Sequence, residues 1–130
     1  MRILCYLCIG IFLTVLGSVD AFAESTGDML SACKIVSESK AADGHVRIPE
    51  STSGGICWGA FSILQEVGRT LDSSGNPIMS FCLPRNSTRT QLVAVFVNYA
   101  EKHPEQWHLD FFQVATVALS EAFSCPQVRR

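Results

Sequence analysis

Six cysteines and three histidines are the residues of this 130-residue chain with the widest chemical range. Cys5 and Cys8 fall in an apolar N-terminal run, which leaves Cys33, Cys57, Cys82 and Cys125 for the body of the protein. A thiol can serve as nucleophile, metal ligand or half of a disulfide. Nucleophilic catalysis requires a free thiolate beside a base, commonly histidine. Structural zinc requires paired ligands at short spacing, such as Cys-x-x-Cys, and no such pair occurs among these four. An even number of cysteines in a small exported domain reads as a disulfide framework. The histidines add little chemistry. His103 and His108 are too far apart in sequence to share a helix face well, and His103 precedes Pro104. His108 and Asp110 stand two apart, and such neighbours on a helix point in different directions. The carboxylates are scattered and nothing marks an acid–base pair among them. The expectation is a protein without enzymatic activity, metal or cofactor.

Three further features invite functional readings. Asn86-Ser87-Thr88 matches a glycosylation acceptor, but Thr88 followed by Gln91 forms a capping-box pattern that explains the residues as a helix start. Trp58 and Trp107 can be core residues or interface anchors, since Trp is enriched at binding hot spots. Trp58 follows Cys57 on a helix whose apolar stripe runs through Cys57 and Phe61, so it points off the main face.

The elements that position these residues begin after a leader. Arg2 supplies a positive start, residues 3–16 are almost wholly apolar, and Ala21-Phe22-Ala23 offers small residues before the polar Glu24. This is the layout of a secretory signal peptide, and the apolar run falls short of the roughly 20 residues of a spanning helix. Residues 1–23 are read as a cleaved leader and residues 24–130 as a single domain. The net charge is −2, and no basic stripe interleaved with aromatics suggests nucleic acid. No membrane association is expected once the leader is removed.

Four helices follow from the hydrophobic spacing. Met29, Leu30, Cys33 and Val36 mark the first, over residues 26–39. Residues 40–55 turn polar and carry Gly44, Pro49, Gly54 and Gly55, which reads as a long loop of the functional or mobile kind. Cys57, Phe61, Leu64, Val67 and Leu71 form the stripe of a second helix over residues 56–71. Asp72, Gly75, Asn76 and Pro77 are strong stop signals, and residues 78–83 read as a short extended piece. The third helix runs from Thr88 to about Lys102. Pro104 stops it and opens a fourth, over residues 104–123, apolar enough to be buried on most sides. The fold class is an all-α, compact bundle of about four helices stapled by two disulfides. The short break between the third and fourth helices implies antiparallel neighbours, which brings Cys82, before the third, near Cys125, after the fourth. Cys33 and Cys57 meet across the folded-back loop. Of the three pairings that four cysteines allow, Cys33–Cys57 with Cys82–Cys125 is therefore preferred.

Taken in order, Cys57-Trp58-Gly59, Cys82-Leu83-Pro84, Gln91-Leu92-Val93, His103-Pro104-Glu105, Ala118-Leu119 and Cys125 resemble the Rap/Tai family of type VI secretion immunity proteins. The likeness spans residues 33–125. The resemblance implies a periplasmic, disulfide-bonded helical protein, often a homodimer, that binds a secreted peptidoglycan amidase and occludes its active site. The candidate contact surface comprises His45 and Arg47 in the long loop, Asp72 and Asn76 in the 72–77 turn, and Trp58. The rival from another class is a periplasmic stress or chaperone-like binding protein. It draws on the apolar fourth helix and predicts apolar surface exposed by acid.

Overall fold

The structure, a computed structural model, describes residues 24–39 and 50–126. Its helices are α1 (Thr26–Glu38), α2 (Thr52–Val67), α3 (Arg89–Lys102) and α4 (Phe111–Ala122), with one 3-10 turn, Pro104–Gln106, before α4. Only isolated β-bridges, and no strand, occur among the described residues. Residues 1–23, the expected leader, and residues 40–49 of the expected loop lie outside them, as do His45 and Arg47.

α1 begins at Ser25, whose Oγ accepts from the Asp28 amide at 3.2 Å, while Asp28 places a negative charge in the positive first turn. The same end is stitched to the segment before α4. The Thr26 amide donates to Leu109 O and the Gly27 amide to Trp107 O, each at 2.9 Å. Amides that a helix start leaves without intrahelical partners are thereby satisfied from a distant part of the chain. The helix packs on α2, α3 and α4, and buries Met29, Leu30, Cys33 and Val36 as the spacing predicts.

α2 starts earlier than expected. Ser51 is its cap, with Oγ accepting from the Gly54 amide at 3.1 Å, and Gly54 and Gly55 lie in the first turn rather than in the loop. A serine cap and the tethered Cys57 outweigh the weak helix propensity of glycine. The helix also ends earlier, at Gly68. There a Cβ would overlap the Phe81 ring and stand 2.9 Å from Leu64 O. Leu71 is therefore not on the buried stripe. It is 57% exposed and bridges Pro77 across the turn.

α3 opens with the capping box that Thr88 and Gln91 suggest. The Gln91 amide donates to Thr88 Oγ1 at 3.3 Å and the Thr88 amide to Gln91 Oε1 at 2.8 Å. α4 departs from expectation at its start. Pro104 opens only the 3-10 turn, and Asp110 caps the helix proper by accepting from the Gln113 amide at 3.1 Å. Trp107 precedes the helix, 43% exposed, and its indole N–H donates to Ala100 O at the end of α3. Nor is α4 buried on most sides. Phe111, Val114, Ala115 and Leu119 face the core, whereas Phe112 and Val117 are exposed. The helix packs on α3 and α1 and meets α2 through the Phe61–Phe111 ring contact.

The centre is a cluster of phenylalanines, one from each of α2, α3 and α4. Phe61, Phe96 and Phe111 have ring centroids 5.2 to 5.7 Å apart in tilted and edge-on arrangements, the geometry that the ring quadrupole favours. Both preferred disulfides are present. Cys33–Cys57 lies in the core between α1 and α2, with neither residue exposed. Cys82–Cys125 joins the entry of α3 to the exit of α4, supported by the Phe81–Ser124 bridge and by the Cys82 amide donating to Phe123 O at 2.8 Å.

Candidate partner-binding surface

Among the described residues, all four cysteines are consumed by the disulfides, and no group of His, Cys, Asp and Glu suited to a metal ion occurs. His103 stacks on Tyr99 with centroids 4.3 Å apart and meets Glu105 Oε1 at 2.9 Å. That contact holds the exposed Glu105 carboxyl below its usual range, with the hydrogen bond to His103 as the main cause. It is a surface pair closing α3.

The most distinctive surface is the connector between α2 and α3, residues 68–88. It contains no helix, yet most of its length is pinned. Asp72 Oδ1 accepts from the amides of Ser74 and Asn76, at 2.8 and 2.9 Å. Gly75 takes the left-handed φ of 81° that such a tight turn requires. These backbone hydrogen bonds, from Asn76 above all, lower the Asp72 pKa. Asp72 and Asn76 are thus brought together, and their side chains build the turn: Asn76 Nδ2 also reaches Asp72 Oδ2, at 3.4 Å. Residues 71–78 are all exposed.

Farther along, the connector lies against α2. Ser87 O accepts from Gln65 Nε2 at 3.1 Å and from Arg69 Nη2 at 2.9 Å. Two residues on, the Arg89 guanidinium carbon sits 4.6 Å from the centroid of the Trp58 ring. Trp58 is half-buried, packed against the edge of the core on one side and covered by Arg89. Arg69, Leu71, Pro77, Leu83 and Arg85 line an open groove at the foot of the connector. Of the residues singled out in the sequence, Asp72 and Asn76 share the turn, and Trp58 joins the connector from the side through Arg89.

The arginines were not visible as a group beforehand. Arg69, Arg85 and Arg89 are spread over 21 positions, without the periodicity of a helix face. They gather where Gln65 of α2 and Arg69, just past its end, both donate to Ser87 O. A buried glutamine in an otherwise apolar helix face was the one sequence signal for that fastening, since such a side chain requires a partner.

The connector surface is mixed apolar and charged, and it is held by the Cys82–Cys125 disulfide and by the turn hydrogen bonds of Asp72. Compared with known protein families, residues 25–125 match the Rap1a immunity proteins, and the chain belongs to that family. No curated protein and no solved structure matches it. Membership in a family of immunity proteins suggests protection against a secreted effector by binding it.

Proposed function

We propose that this chain is exported, loses residues 1–23, and acts in the periplasm as an immunity protein that binds a type VI secreted peptidoglycan amidase and occludes its active site. The family match over residues 25–125 carries this reading. The matched region starts just past the expected cleavage point, and both disulfides suit an oxidising compartment. Occlusion requires a preformed surface, because ordering a loose one on binding costs affinity. The connector meets that requirement. Its exposed turn is held by Asp72, and its later half is fastened to α2 by the Gln65–Ser87 hydrogen bond and to the end of α4 by the Cys82–Cys125 bond. Asp72, Asn76 and Trp58, together with His45 and Arg47 of the long loop, are the proposed contact set.

The homodimer belongs to the same proposal. Exposed Ile35 and Ile56 share the groove between α1 and α2. Ile63, 63% exposed, continues that side of α2 two turns on, and no heavy atom lies near the Cβ position of Gly55 or Gly59. Such a bare, apolar helix face suits close approach of a second copy.

The test is to express the full chain with its own leader in a bacterial host, purify it from the periplasm, and use it as bait against type VI peptidoglycan amidases. Intact mass reports cleavage and both disulfides. A stoichiometric, inactive complex is the expected result. A well-folded bait that binds no amidase, but suppresses aggregation of unrelated proteins and exposes apolar surface in acid, would favour the stress-protein reading instead.

A further inference from the structure

We infer that the strip formed by Arg85, Arg69 and Arg89 beside Trp58 is a docking site for an acidic, partly apolar extended segment of the partner protein. This rests on the immunity reading and names the chemistry of the partner it would take. The chain as a whole carries net charge −2, so three arginines gathered on one side run against the overall balance. Among the described residues only Lys34, Arg69, Arg85, Arg89 and Lys102 are cationic. Lys34 is paired with Glu101 at 2.7 Å. None of the three strip arginines has a carboxylate within ion-pair distance among the described residues.

The strip is also built rather than incidental. Arg69 is held by Ser87 O at 2.9 Å, and Arg89 by the face of Trp58. Arg89 Nε is buried with no acceptor among the described residues. The groove between Arg69 and Arg85 is walled by Leu71, Pro77 and Leu83, and none of its lining residues is acidic. Asp72, in the neighbouring turn, accepts from the Ser74 and Asn76 amides. A chain segment alternating carboxylate and aliphatic side chains satisfies both halves of this surface. Its carboxylates meet guanidiniums that present several donors in a fixed fork, and its aliphatic side chains cover Leu71 and Leu83. The attraction is between exposed charges and weakens as added salt screens them.

The first probe is a fluorescent peptide of alternating Glu and Leu, with an alternating Lys and Leu peptide as control, titrated by anisotropy at low and at physiological salt. The purified oxidised protein should bind the acidic peptide and not the basic one, and added salt should weaken binding. Arg85→Glu, at an exposed position, should weaken it about tenfold or more while both disulfides and the helical CD spectrum are retained. Lys102→Glu, a reversal elsewhere, should have little effect. Equal binding of both peptides, indifference to Arg85→Glu, or equally tight binding of a single-stranded oligonucleotide would overturn the inference. The second probe is any amidase captured by the wild-type bait. Capture that survives Arg85→Glu and Arg69→Glu undiminished would sink the docking strip and leave the immunity reading standing. Failure to capture any amidase bears on that reading alone, since the peptide titration stands without it.

Discussion

The Arg89 guanidinium carbon lies 4.6 Å from the centroid of the Trp58 ring, which ties the first residue of α3 to the side of α2. A cation over an exposed or half-exposed indole stabilises by about 0.5–1 kcal/mol. Arg89→Ala should therefore lower unfolding free energy by about that amount, measured by urea denaturation, and should alter Trp emission. Arg89→Glu should cost more despite its better match to the helix dipole, because it replaces attraction to the ring face by repulsion. A gain in stability for Arg89→Glu would show that the dipole, not the ring, governs this position.

Gly68 is required for space and not for conformation, since its φ of −67° is ordinary helical backbone. Gly68→Ala would press a methyl group into Phe81, a residue with no exposure at the base of the connector. Overpacking of this kind costs about 1–3 kcal/mol. The thermal midpoint should fall accordingly, whereas Gly59→Ala, with open space at its Cβ position, should be neutral or slightly stabilising.

The two disulfides should differ in accessibility. Cys33 and Cys57 have no exposure, while Cys82 and Cys125 are half-buried near the surface. Mild reduction of the native protein followed by alkylation should label Cys82 and Cys125 first, read by peptide mass mapping. Replacing both Cys82 and Cys125 by Ala should cost about 2–4 kcal/mol of stability, as for removal of a typical structural disulfide.

Most of the fold was legible because it rests on short-range signals. The α1 and α3 stripes, the Thr88–Gln91 capping box and the pairing of cysteines at helix ends all follow from spacing. The misreadings occur where a distant contact or an unmarked cap prevails. Ser51 draws Gly54 and Gly55 into α2. Asp110 and the indole of Trp107 shift the start of α4 past Pro104. α2 stops at Gly68, where Phe81, well along the connector, fills the space a side chain would need. The candidate surface was legible only in part. Asp72 and Asn76 were marked by turn chemistry. The arginine strip was not, because its assembly depends on Gln65 and Arg69 both reaching Ser87 O.

Acid should loosen the 72–77 turn before it disturbs the core. The Asp72 carboxyl is held below its ordinary range by amides that prefer the anion. A group whose folded pKa is depressed contributes stability above its unfolded pKa and loses it as pH falls through the folded value. The turn should thus be intact at neutral pH and relax below the usual carboxylate range, visible as amide shifts of Ser74 and Asn76 in an NMR titration. Asp72→Asn should abolish that pH dependence. Unchanged Ser74 and Asn76 shifts down to strongly acidic pH in the wild type would contradict the role given to Asp72.

A homodimer through the bare face of α2 should be sensitive to one substitution. Ile63→Lys leaves the core untouched, since Ile63 is exposed, and should convert a dimer to a monomer in light scattering after size exclusion. A dimer indifferent to Ile63→Lys and Ile56→Lys would place the interface elsewhere.

The most direct measurement is an activity titration of a type VI peptidoglycan amidase that the wild-type protein captures, with muropeptide cleavage as the readout. Cleavage should fall linearly to zero at one immunity chain per enzyme, and the muropeptide substrate should compete with the immunity protein for the enzyme. A stable complex that still cleaves muropeptides at the free enzyme's rate would contradict occlusion of the active site.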